Sequence, residues 1–305
     1  MIVQSHRGTE RSTVALLAAS LRPEQWPKNL LLFAGLLFGR RLLEPRAVLV
    51  AIAAFGIFCA LSGALYLLND IMDRHGDRRH PLKQARPIAS GALSARTAGV
   101  AAATLIIGAI AAAWLIVPAL AAIAGAYTLL LLAYSTKLKH VVIVDVLTVA
   151  GGFVLRAVAG AVAVDVPIGP WLLACTTLLA LFLALSKRRH ELVLLGDGAA
   201  DHRSILGEYS PYLLDQMIAV VTASTVLAYT VFAMSADTAS RLGTPRLGLT
   251  VPFVLYGIFR YLYVVHQRRG GGSPAAMLLD DRPLLACVTL WVGSVVILMY
   301  TPLGR

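Results

Sequence analysis

The chain has 305 residues, 58% of them hydrophobic and 14% charged, with a formal charge of +11 and a mean hydropathy of +0.75. That composition excludes a soluble globular domain and points to a polytopic membrane protein. The positive charge does not signal nucleic acid, because Lys and Arg sit in short loops between apolar runs; anionic lipid headgroups or phosphorylated substrates are the expected partners.

Residues 1–21 carry Arg7 and Arg11 ahead of the short apolar run Val14–Leu21. They lack the core length and cleavage site of a signal peptide and read as an interfacial amphipathic segment. Residues 22–305 read as one transmembrane domain. It opens with RPEQWPKN, Arg22–Asn29, where two prolines interrupt helix and Trp26 suits the headgroup level. The stretch serves either as a membrane anchor or to present Lys28 and Asn29 to a phosphorylated ligand.

Apolar segments follow at 30–43, 47–69, 96–117, 119–135, 141–164, 168–186, 213–235, 248–266 and 283–302. Most approach the ~20 residues that a bilayer requires, so the predicted architecture is an all-α bundle of about nine transmembrane helices. Only Pro118 separates the third from the fourth, which must form a tight hairpin. Most cations fall in alternate loops, from Arg7 and Lys28 through Arg74–Arg96, Lys137, Lys139 and Lys187–Arg189 to Arg282. The positive-inside rule then predicts an inner (plasma) membrane protein with a cytoplasmic amino terminus and two long cytoplasmic loops, 70–95 and 187–212.

The first of these loops begins with NDIMDRHGD, Asn69–Asp77. On a helix, Asn69, Asp73 and Asp77 recur every four residues with Asp70 beside them, so four oxygen-bearing side chains share a face. One reading is a solvated acidic helix end. The other is a Mg²⁺ cradle, since Mg²⁺ takes oxygen ligands and is commonly held by one or two carboxylates while substrate phosphates complete its shell. Mutual repulsion without a cation favours the cradle.

The second loop begins with SKRRHEL, in which Lys187 and Glu191 are four apart and predicted to pair, leaving Arg188 and Arg189 for anions; the alternative is a positive-inside flank. Its position four helices after the first loop suits a duplicated bundle. YSTKLKH, Tyr134–His140, reads as a snorkelling flank or as phosphate contacts through Tyr134 and Lys137. Asp145 and Arg156 lie ~16 Å apart along the fifth segment, too far to pair directly, and intramembrane charges normally face a polar cavity. Cys59, Cys175 and Cys287 occur singly in apolar runs, and the seven histidines show no metal spacing.

NDIMDRHGDRRHPLKQARPIASG, Asn69–Gly91, resembles the first signature loop of the UbiA superfamily of intramembrane prenyltransferases. Within that superfamily, RPEQWPKN, YSTKLKH and SKRRHEL are similar to the branch that includes decaprenyl-phosphate phosphoribosyltransferase. The resemblance implies a helical bundle around a central cavity open to lipid, with Mg²⁺ holding a diphosphate at the two loops. It assigns the metal to Asn69, Asp73 and Asp77 with Asp70 in support, and the diphosphate or 5-phosphate to Lys83 and Arg86. Further phosphates fall to Lys28, Asn29, Tyr134, Lys137, Arg156, Lys187 and Arg188, with Glu191 completing the basic motif. Aromatic prenyltransferases of the superfamily usually carry a second aspartate motif where this chain has Lys187–Glu191. A literal D-x-x-x-D does occur farther along, at Asp197 and Asp201, as an alternative second metal site.

The implied reaction is Mg²⁺-dependent transfer of 5-phosphoribose from phosphoribosyl pyrophosphate to a polyprenyl phosphate. The alternative is prenyl transfer from a polyprenyl diphosphate to an aromatic or other small acceptor. A transporter of anionic solutes, using Asp145 and Arg156, would leave the acidic turn without a role. Nothing marks a subunit interface, so a monomer and a homo-oligomer are both compatible with the sequence.

Overall fold

A computed structural model describes residues 12–79, 83–195, 204–268 and 274–304; Arg7, Arg11, Asp197 and Asp201 lie outside them. Among the described residues, eight helices are long and apolar enough to cross a membrane. They are α3 (Pro45–Asp77), α5 (Ala95–Ile116), α6 (Pro118–Thr136), α7 (Val144–Ala163), α8 (Pro170–Leu195), α9 (Pro211–Met234), α11 (Val251–Gln267, extended by a turn from Leu247) and α13 (Arg282–Tyr300). Shorter helices complete the described chain: α1 (Thr13–Ser20), α2 (Phe33–Phe38), α4 (Pro87–Ser90), α10 (Ala236–Leu242) and α12 (Pro274–Asp280).

Helix starts follow local chemistry. Pro45, Pro118 and Pro211 occupy first turns, where a missing N–H costs nothing. Ser94 and Asp281 cap α5 and α13 by accepting from the amides of Thr97 and Leu284. At ~1.5 Å per residue the 33 residues of α3 reach ~50 Å, well beyond a ~30 Å hydrocarbon core. Its excess length carries Asn69–Asp77 on ordered helix past the apolar layer. The 26 residues of α8 do the same for Lys187–Glu191.

The spans pack as two groups of four. Phe58, Leu61, Leu120 and Tyr127 centre the packing of α3, α5, α6 and α7. Phe182, Leu185, Leu214 and Tyr261 centre that of α8, α9, α11 and α13, and α7 lies against α8 to join the halves. Each half therefore opens with the helix whose end bears one of the two charged motifs. Large apolar side chains such as Leu115, Ile107, Leu129 and Leu227 stand exposed on the outside, as a lipid-facing surface requires.

The segment predicted as a span over 30–43 is not one. Pro23–Leu32 form a 3₁₀ helix and α2 adds six residues before the chain turns at Gly39. Pro27 removes an interior N–H donor, which disfavours a continuous α-helix here. This short piece lies directly on α7. A Cβ on Gly160 would come within 1.9 Å of the Leu32 carbonyl oxygen, so glycine is what permits the backbone contact. The consequence is functional: Lys28 and Asn29 are brought beside a transmembrane helix instead of remaining in a surface loop.

Candidate active site

A cavity of about 1260 Å³ runs between the two halves. Near the ends of α3 and α8 it is lined by Arg22, Lys28, Asn69, Tyr134, Lys187 and Arg188; farther in its walls are apolar, with Leu131, Phe153, Leu179, Trp171 and Trp291 among them. A polar head and a long apolar body suit an amphipathic ligand.

Beside the head, where Asn69 lines the cavity but Asp70, Asp73 and Asp77 do not, the four oxygen-bearing residues of α3 divide into two pairs. Asn69 donates to Asp73 (3.0 Å), and Asp73 also receives Lys139 Nζ (3.1 Å). Asp70 and Asp77, seven residues apart and both nearly inaccessible, are bridged by Arg86, whose Nη1 lies 3.1 and 2.6 Å from their carboxylates. Arg22 adds a 2.6 Å contact to Asp70, and Lys83 stands 4.0 Å from Asp77. Asp70 is thus a tie between the Arg22 turn, the 78–95 connection and α3, not a member of one acidic face.

Among the described residues no three His, Cys, Asp or Glu side chains group as a metal cage. The donor set still fits Mg²⁺ in another form. Asp73 is 37% exposed, and with the Asn69 carbonyl it offers hard oxygens of the kind that hold Mg²⁺ when substrate phosphates supply the remaining ligands. Asp77 can join only by exchanging its contact with Arg86. Asp197 and Asp201, the alternative second site, lie outside the described residues.

The basic motif is corrected in part. Lys187 pairs with Glu191 at 3.7 Å, as predicted, and lines the cavity. Arg188 is not left for anions: it is buried and held by Asp145 (2.7 Å), Glu191 (2.9 Å) and the Tyr134 hydroxyl (3.1 Å). Asp145 therefore finds its counter-charge on the neighbouring helix, with the Tyr209 hydroxyl donating a further bond of 2.8 Å. Burial pushes Tyr209 up to about 12, which keeps it a donor. Arg189 is likewise engaged, by Asp215 of α9.

Asn29 also departs from expectation. It is fully buried, not presented to a ligand; its Oδ1 accepts from Arg156 Nε at 2.7 Å while its amide reaches Cys59 and Ser62 on α3. Lys28, its neighbour, does line the cavity. Burial, reinforced by the charges of Arg156 and Arg22 and opposed by Glu24, brings Lys28 down to about 8. Lys137 is exposed at the end of α6 and does not line the cavity. Lys139, two residues on, is the lysine of that motif which reaches the acidic turn, because the short 3₁₀ turn Leu138–His140 sets residues two apart on different faces. Arg22, Tyr66 and Tyr127, which the sequence reading left out of the site, all line the cavity.

The sequence profile of the UbiA prenyltransferase family matches residues 29–284. This chain belongs to that family. Two relatives, from Mycolicibacterium smegmatis and Corynebacterium glutamicum, are each named decaprenyl-phosphate phosphoribosyltransferase and are 33% identical; the alignments cover 96% of this chain and 95% of the first, and 92% and 86% for the second. Among solved structures, a UbiA homologue from Archaeoglobus fulgidus bound to GPP and Mg²⁺ superposes with a TM-score of 0.70 at 16% identity, over 92% of this chain and 98% of that one. The bundle is thus a UbiA fold, and the protein is a multi-pass membrane transferase of the UbiA family.

Proposed function

We propose that this UbiA-family transferase moves 5-phosphoribose from phosphoribosyl pyrophosphate onto a polyprenyl phosphate, releasing diphosphate, with its polar head on the cytoplasmic side. The observation that carries this reading is the charge at the end of α8. Where a second carboxylate cluster would serve a prenyl diphosphate, the cavity wall carries Lys187, with Lys28 also lining the head. The relatives named decaprenyl-phosphate phosphoribosyltransferase support the same reading.

The chemistry suits such a lining. The C1–O bond to diphosphate breaks, an oxygen of the lipid phosphate forms the new bond to C1, and positive charge develops on the ribose ring as the two anions exchange. A phosphate nucleophile is already ionised and needs no general base. It needs positioning and screening from the other phosphates, which Lys and Arg supply in a water-poor site. Mg²⁺ would neutralise the departing diphosphate, and Asn69 and Asp73, with Asp77, would hold it; the Mg²⁺-bound A. fulgidus homologue supports a divalent ion in this fold. Lys83 and Arg86 stand beside the acidic turn to receive the donor's phosphates. The test is transfer of label from ribose-labelled phosphoribosyl pyrophosphate into lipid, dependent on both polyprenyl phosphate and Mg²⁺. Absence of that transfer from active, folded protein contradicts the reading.

A further inference from the structure

The cavity contains a buried cation with no anion to match it. Arg156, on α7, is 6% exposed and lines the cavity. Its Nε donates to Asn29 Oδ1 (2.7 Å), Nη1 to the Gly152 carbonyl (2.9 Å) and Nη2 to the Tyr127 hydroxyl (2.5 Å), and the rings of Tyr127 and Phe153 lie 4.8 and 5.2 Å from its guanidinium carbon. Every one of these partners is neutral. The other buried arginine, Arg188, has two carboxylates; among the described residues Arg156 has none. A buried, unpaired charge inside a membrane is expensive and marks a functional site. Three of the five guanidinium N–H groups are engaged, which leaves one on each terminal nitrogen.

Depth indicates which anion belongs there. Arg156 lies about twelve residues along α7 from its start, or ~18 Å. Through Asn29 it is level with Cys59 and Ser62, eleven or more residues below Asp73 on α3, which gives a similar separation of ~16 Å or more. Asn69, the deepest residue of the acidic turn, is only seven residues or ~10 Å along α3 from Ser62, so the sugar of a donor anchored there meets an anion held by Arg156, while the apolar body of the cavity begins at this level, with Leu131 and Phe153. An anion bound here would carry its apolar tail directly into that body.

Resting on the reading above, we infer that Arg156, braced by Asn29 and assisted by Lys28, binds the phosphate of the polyprenyl acceptor, whereas the acidic turn binds the sugar donor. The two substrates then approach each other from opposite sides, the donor from the acidic turn and the acceptor from the apolar body, with the acceptor phosphate meeting the donor's C1 between Asn69 and Arg156. Asn29 is a positioning residue that acts through Arg156.

The test compares binding of decaprenyl phosphate with that of decaprenol to the full-length protein in detergent and EDTA, read by tryptophan fluorescence or native mass spectrometry. Wild type is expected to prefer the phosphate by about tenfold or more. Arg156→Gln should abolish the preference and Arg156→Lys should restore part of it, while both retain wild-type affinity for phosphoribosyl pyrophosphate with Mg²⁺. That retained affinity also certifies folding. A preference that survives Arg156→Gln, or an equal loss of donor affinity, overturns the inference and leaves the proposed reaction standing. A wild type that binds the donor but shows no phosphate preference overturns the inference and the acceptor assignment together.

Discussion

Asn29 Oδ1 accepts from Arg156 Nε at 2.7 Å, tying the 3₁₀ segment that enters the cavity to a transmembrane helix 127 residues later. Replacing Asn29 with Asp would give the arginine a resident counter-charge. The expected outcome is opposed effects: a melting temperature at or above that of Asn29→Ala, with turnover lowered by about tenfold or more because the substrate phosphate loses its site. Thermal melts and kinetics on the two variants check this, and an active Asn29→Asp enzyme speaks against the role given to Arg156.

Asp70 and Asp73 are expected to respond in different ways. Asp70 is 4% exposed and contacts two arginines, so Asp70→Asn should cost roughly 1–3 kcal/mol, with the upper range of buried pairs reduced because Arg22 and Arg86 are partly solvated. Asp73 is half-exposed with one lysine partner, so Asp73→Asn should change stability by less than about 1 kcal/mol. Yet Asp73→Asn, like chelation of the wild type, should abolish turnover. Unfolding in a mild detergent and activity in EDTA measure the two effects; full activity in EDTA sinks the metal role.

Lys187 and Arg188, adjacent in sequence, separate similarly. Arg188→Ala leaves Asp145, which is fully buried, without its cation, and should destabilise by roughly 3–5 kcal/mol. Lys187→Ala should leave the fold intact and raise the KM of one substrate by about tenfold. Normal kinetics in Lys187→Ala would reduce it to a topology flank.

Lys28 gives a pH dependence with two signs. Its proton is held less tightly in the folded protein, at about 8, than in the unfolded chain, near 10.5. Between those values the unfolded state binds more protons, so the stability of the ligand-free protein should rise with pH, by roughly 1–3 kcal/mol across the window. Anion binding should move oppositely, with KM for a phosphorylated substrate climbing above about pH 8 as Lys28 loses its charge. Both trends should flatten in Lys28→Gln.

Much of this arrangement is legible in the sequence, for identifiable reasons. Length and apolarity locate the eight spans because hydrocarbon thickness sets one scale for all of them. The four-residue spacing of Asn69, Asp73 and Asp77 announces the acidic turn because it lies within one helix. Spacing says nothing of partners from elsewhere in the chain: Arg86 bridging Asp70 to Asp77, Lys139 on Asp73, and Asp145 taking Arg188 depend on helix packing. The segment at 30–43 misleads for a related reason. Many of its apolar residues face other helices and the cavity, not lipid on every side, and its lead-in prolines set a shorter path that packs on α3 and, at Gly160, closely on α7.

The most direct measurement supplies purified protein and Mg²⁺ with two donor–acceptor pairs whose products are distinguishable. One pair is ribose-labelled phosphoribosyl pyrophosphate with a polyprenyl phosphate; the other is a prenyl-labelled polyprenyl diphosphate with 4-hydroxybenzoate. The account predicts a phosphoribosylated lipid from the first pair and no prenylated product from the second. A prenylated aromatic alone would contradict it and return the chain to prenyl transfer.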